Sequence, residues 1–260
     1  MLGICALCLR NADLQDSHLI PKWAYKRVCH MDSTGAKNPV QIANGNAVLS
    51  NKQTTKHLLC TECEQRFSKC EDYVARLTEP DNGVIRLFRN ITRPSTPKMV
   101  LASLNNRMDG EQIAYFAASV IWRGYAVTGD CKLGPYEQKF RHFLLGETEF
   151  PTEVVISVGL FDLSPNVDAR GWVSEPVSIK TKIGWLHGFL LAGLAFRCWV
   201  GKGLPPLWQQ VSLTGPNPYR YVSIIKPEGC ADFMAAAEMA GNAKHRGKLA
   251  KSQLGGSCLP

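Results

Sequence analysis

A chain of 260 residues with 45% hydrophobic and 20% charged residues is composed like a globular protein, with room for two modest domains or one large one. It is not composed like a disordered or fibrous chain. The formal net charge of +8 favours a polyanionic partner such as nucleic acid, a statement about association and not about fold.

The chain opens on Cys5-Ala6-Leu7-Cys8, and a second C-x2-C pair, Cys60-Thr61-Glu62-Cys63, follows about fifty residues later. Four soft thiolates in two such pairs suit a closed, tetrahedral structural zinc. The other cysteines among the ten are scattered between apolar neighbours, and Met1-Leu2-Gly3-Ile4-Cys5 has no basic region and no long apolar core. Reduced thiols and a cytoplasmic location are therefore expected, with no secretory leader and no disulfide framework.

The expected order over residues 1–80 is a first knuckle, a strand carrying His18, an insertion, a second knuckle and a helix from about Glu64 to Leu77. Phe67, Val74 and Leu77 form the apolar face of that helix, and Glu79-Pro80 stops it. The stretch 29–56 is rich in Asn, Thr, Ser, Gly and Lys, with turn signals at Gly35, Pro39, Asn44-Gly45 and Asn51, and predicts an inserted loop or hairpin. Residues 81–98 predict a connector. Glu111 to Thr128 carries the clearest helical periodicity, and a second helix is expected over Tyr136 to Leu145. Beyond Pro151 short strands are expected at 154–158, 177–180, in the Trp185–Val200 region and at 220–225, with a short helix at 235–239. The apolar stretch Ile183 to Val200 holds His187, Arg197 and several glycines, which predicts buried strand or helix and no membrane span. Residues 99–240 thus read as a mixed α+β domain, and 241–260 as a basic flexible tail.

Ser17-His18-Leu19-Ile20-Pro21-Lys22-Trp23, together with Leu58-Leu59-Cys60-Thr61-Glu62-Cys63-Glu64-Gln65-Arg66-Phe67, resembles the HNH endonucleases, the zinc-knuckled branch of the ββα-metal nucleases. The resemblance covers residues 1–77 and extends to a bacterial subgroup in which a stretch like Tyr115–Arg123 follows. It implies a ββα-metal, treble-clef-like zinc domain at the N-terminus of an α+β protein, and hydrolysis of nucleic-acid phosphodiesters. His18 takes the place of the general base, and Ser17 and Glu64 take the places of the ligands to a catalytic magnesium or manganese ion.

Family members usually carry Asp or His before the base and His or Asn after the last cysteine. Glu64 is a sound hard-oxygen ligand; Ser17 is a poor one, for which Asp13 or Asp16 could substitute. His57 stands just before the second knuckle. Glu71 shares a helix face with Glu64 and either joins the site or pairs with a cation. Lys22, Lys26, Arg27 and Arg66 are candidate phosphate contacts.

Two function classes follow. One is a metal-dependent endonuclease, of the kind that serves as an anti-phage defence effector beside a partner ATPase or as a homo-oligomer, with DNA ahead of RNA as substrate. The other is a non-catalytic zinc module that binds nucleic acid or protein.

Overall fold

The computed structural model describes residues 1–30, 38–82, 84–93, 101–104, 108–162, 168–214 and 220–252. The expected turn at Gly35, the connector residues 83 and 94–98 and the tail from 253 lie outside the described residues.

In the N-terminal part, β1 (Leu2–Ile4) and β2 (Asn11–His18) flank the first cysteine pair, and α1 (Lys22–His30) follows. Next come β3 (Val40–Ala43), β4 (Asn46–Leu49) and β5 (Thr55–Cys60), which runs straight into α2 (Thr61–Leu77). β1, β2 and β5 form one antiparallel sheet, with Leu14 opposite Cys60 and His18 opposite Thr55. The inserted stretch is a hairpin: β3 pairs with β4 across Asn44-Gly45, where both residues take positive φ (51° and 71°) as a two-residue hairpin turn demands.

α2 begins three residues before Glu64, because the second cysteine pair lies within its N-terminus and not in a loop ahead of it. Cys60 is its extended N-cap, and Glu62 and Glu64 in the first turn complement the helix dipole. Cys63, Phe67, Val74 and Leu77 are its buried residues.

The chain continues through β6 (Pro80–Asp81), β7 (Val84–Ile85), β8 (Ile91–Thr92) and β9 (Leu101–Leu104) to α3 (Gly110–Val127) and α4 (Glu137–Leu145). Asp109 caps α3 by accepting from the backbone N–H of Glu111 and of Gln112. The remaining elements are β10 (Val154–Phe161), β11 (Val177–Thr181), β12 (Gly184–Leu191), β13 (Leu194–Val200), α5 (Pro206–Val211), β14 (Tyr221–Ile225), α6 (Ala231–Asn242), β15 (Lys244–His245) and α7 (Gly247–Ser252).

A seven-stranded sheet has the order β11-β12-β13-β10-β14-β9-β8 and is antiparallel except where β10 meets β14. Ile183 to Val200 lies inside it as the β12–β13 hairpin, between β11 and β10, turning at Ala192-Gly193. No described helix is long and apolar enough to cross a membrane.

α3 packs against α2, α4, β5, β10 and β13. Its Ile113, Phe116, Ala117, Val120, Ile121 and Trp122 are all buried, so it is covered on most sides, as a helix apolar around its circumference must be. One hydrophobic cluster consequently runs from Cys5 to Val222.

Two sequence expectations are corrected here. The stretch 81–98 is not a bare connector, because β8 joins the large sheet. Nor are residues 241–252 a free tail: β15 pairs with β4 and α7 packs against it.

Candidate metal centre and its surroundings

The first knuckle is a tight turn in which Leu9 N–H donates to the Cys5 carbonyl (2.8 Å) and Cys5 N–H to that of Arg10 (2.9 Å). Closing it drives Leu9 to φ 60°, a left-handed conformation that costs a branched residue about 1–2 kcal/mol. Ala6 N–H then donates to the Leu58 carbonyl (3.0 Å), which brings the turn beside the end of β5.

The result is one cluster. The sulfurs of Cys5, Cys8, Cys60 and Cys63 all lie within 4.8 Å of one another. Cys8 Sγ is 3.8 Å from Cys60 Sγ. A tetrahedral site with Zn–S bonds of about 2.3 Å needs S···S edges of about 3.8 Å, so the spacing suits zinc.

The electrostatics suit it as well. A hydrogen bond from the Cys63 thiol, helped by backbone N–H groups of Cys8, Cys60 and Leu7, holds Cys5 down to about 4 despite its burial. That same contact, followed by burial, pushes Cys63 up. Thiolates this close oppose one another's charge, and a divalent cation among them relieves that opposition. Arg10 donates to Cys8 Sγ (3.4 Å) and also pairs with Glu62, which fastens the exposed rim of the cluster to the first turn of α2. The four-cysteine group can therefore hold a metal such as zinc. Among the described residues it is the only group of three or more His, Cys, Asp or Glu side chains placed to do so.

The residues expected to form a second site do not converge in that way. His18 closes β2, half-buried, and its carbonyl accepts from Arg123 Nη1 at 2.7 Å. Glu64 lies at the other end, in the first turn of α2 beside Cys63, and its buried Oε1 has no hydrogen-bond partner. An unpaired buried carboxylate oxygen is costly, and a cation or a donor would relieve it. Ser17 departs from the expectation of a metal ligand. It is 1% exposed, and its hydroxyl reaches only the Gln15 carbonyl (3.5 Å), so it is sealed on the inner face of the strand.

The substitutes are engaged or exposed. Asp13 binds the N-terminal ammonium (2.5 Å), which holds its carboxyl below the usual range, and Asp16 is exposed, across the strand pair from the exposed His57.

Glu71 is drawn toward His18 by one guanidinium. Arg123 Nη2 donates to Glu71 Oε1 (2.6 Å) while Nη1 holds His18, and the group stacks 5.4 Å over Phe67. Its pairing with a cation, one of the two expected roles, is what the structure displays. Arg123 is the residue that sequence reasoning underrated. The available signal was a lone charge in the apolar run from Ile113 to Tyr125.

Of the four candidate phosphate contacts, Lys22 and Lys26 are exposed one turn apart on α1. Arg27 and Arg66 are only partly exposed and are committed to partners within the protein. Arg27 donates to Thr78 Oγ1 and the Ala75 carbonyl at the end of α2 and lies 4.7 Å over Trp23. Arg66 donates to the Leu145 carbonyl (2.8 Å) at the end of α4. Both satisfy terminal helix carbonyls, a use of long cations that spacing on one helix does not reveal.

Comparison of the chain with known families, with curated proteins and with solved structures returned no match.

Proposed function

We propose that the chain is a zinc-scaffolded phosphodiesterase acting on nucleic acid, with His18 as its general base. The observation that carries this reading is the strand–strand–helix frame. Two knuckles joined through Cys5, Cys8, Cys60 and Cys63 set β2, β5 and α2 in place, and His18 ends β2 with its backbone clamped by Arg123. The zinc is structural in this reading, since four cysteines fill a tetrahedron and leave no position for substrate.

His18 takes the proton from an attacking water as the new P–O bond forms and the bond to the leaving oxygen breaks. A fixed main chain serves that role, because a base must be held within hydrogen-bond reach of the proton it removes. Lys22 and Lys26 follow His18 across the buried Leu19-Ile20-Pro21 and present charge for neighbouring phosphates. When bound, a magnesium or manganese ion supplies Lewis-acid stabilisation of the phosphoryl oxygens. Glu64 fits such an ion and Ser17 does not.

A second reading, a zinc module that binds nucleic acid without cutting it, is favoured by the sealed Ser17 and by the lack of a second three-ligand group among the described residues. The test is cleavage of plasmid and of single-stranded substrate with added magnesium or manganese. His18→Ala is expected to lower the rate about 10²–10⁴-fold with zinc content unchanged. Full activity in His18→Ala overturns the base assignment. No cleavage by the wild type with either ion hands the function to the second reading.

A further inference from the structure

Residues 241–252, the described part of the expected flexible tail, instead belong to a folded arm. Lys244 pairs with Asn46 and His245 with Ala47, parallel to β4, so two segments some 200 residues apart share one three-stranded sheet, β15-β4-β3. The join is specific. Lys244 N–H donates to the Gly45 carbonyl (2.8 Å), Arg246 N–H to that of Ala47 (2.9 Å), and Arg246 Nε to Asn46 Oδ1 (2.9 Å). Ala47 is buried beneath the arm, whereas every residue of β3 is exposed.

Charge on this arm is one-sided. Residues 38–56 and 241–252 contain no Asp or Glu. Lys52, Lys244, Arg246, Lys248 and Lys251 are exposed on it, while Lys56 is spent on the Ala126 carbonyl (2.9 Å). A polar ribbon tip, Asn44-Gly45-Asn46, is thus flanked by cations from the chain's far end.

We propose that this arm is a duplex-DNA contact surface, with the β15-β4-β3 sheet set against the major groove and the β15–α7 cations on the flanking phosphates. The proposal rests on the nucleic-acid reading above and goes beyond it by naming the form of the ligand and the surface that takes it. Three strands about 4.8 Å apart span about 10 Å between their outer backbones, within a B-form major groove about 12 Å wide. The major groove of A-form RNA is deep and narrow and does not admit such a sheet. Of the two duplexes, the geometry therefore favours DNA.

The test is fluorescence anisotropy with a labelled DNA duplex across a salt series, on the full chain carrying His18→Ala to prevent cutting. Lys244→Gln/Lys248→Gln/Lys251→Gln is expected to flatten the slope of log affinity against log salt by about 3, close to one unit per lost phosphate contact. Lys180→Gln, at an exposed position on β11, is expected to leave it unchanged. Should the triple variant fold poorly by circular dichroism, Lys248→Gln and Lys251→Gln alone are each expected to flatten it by about 1. Wild-type binding with an unaltered slope in these variants overturns the arm while leaving the proposed function standing. An RNA duplex bound as tightly, with the same response to the variants, overturns the sheet-in-groove geometry. A wild type that binds no nucleic acid overturns both.

Discussion

Replacing Arg123 by methionine tests whether α3 clamps the strand that carries His18. Its side chain is 2% exposed and that of its partner Glu71 17% exposed, so the pair sits where solvent screens it little. Methionine retains the aliphatic packing over Phe67 but loses the 2.6 Å bond to Glu71 and the 2.7 Å bond to the His18 carbonyl. Glu71 is then left with a poorly solvated charge. Removing one partner of a buried pair costs about 3–5 kcal/mol, most of it the unpaired charge rather than the lost attraction. Arg123→Met/Glu71→Leu removes that charge too and is expected to be more stable than the single variant by about 2 kcal/mol. Urea unfolding followed by far-ultraviolet circular dichroism measures both. A cost below about 1 kcal/mol for Arg123→Met, or a double variant no more stable than the single, refutes the clamp.

Two further outcomes are expected. Cys60→Ser, or prolonged chelation, is expected to unfold the N-terminal part rather than merely slow a reaction, because the metal site supplies folding free energy; folded, carefully purified protein without zinc on elemental analysis contradicts this. The third concerns His187, fully buried with Nδ1 2.7 Å from Ser178 Oγ and Nε2 unpartnered; burial lowers it from 6.5 to about 4. As pH falls below about 6.5 the unfolded chain takes up this proton first, so the stability contribution is complete above that pH and shrinks by about 3 kcal/mol on approach to pH 4. His187→Gln is expected to flatten that part of the stability–pH curve measured by urea midpoints, and an unchanged curve would show that another group titrates there.

How much of this was legible in the sequence follows from how far each cause reaches along the chain. The cysteine pairs were readable because a C-x2-C turn is local and the count of thiolates closes at four, even though the halves of the site stand over fifty residues apart. α2 was readable from Phe67, Val74 and Leu77 recurring at helical spacing. Its start was not, because Cys60 caps it through backbone geometry and makes no side-chain cap bond. The stretch Ile183 to Val200 gave no period to choose strand from helix, since an interior strand with partners on both edges and apolar clusters on its faces reads as a continuous apolar run. Within it only Ala192-Gly193 marks the turn.

Polar partners were the least legible. Arg27 and Arg66 have the spacing of surface cations, yet each reaches a carbonyl at the end of a neighbouring helix, a contact decided by tertiary packing. Ser17 and His18 are adjacent in sequence but alternate across a strand, so one is sealed while the other stays half-exposed. That alternation bears directly on the site. Adjacency in the motif suggested a ligand and a base side by side, whereas the sheet hands the inner position to Ser17 and holds His18 by its main-chain carbonyl, through a guanidinium that Glu71 shares.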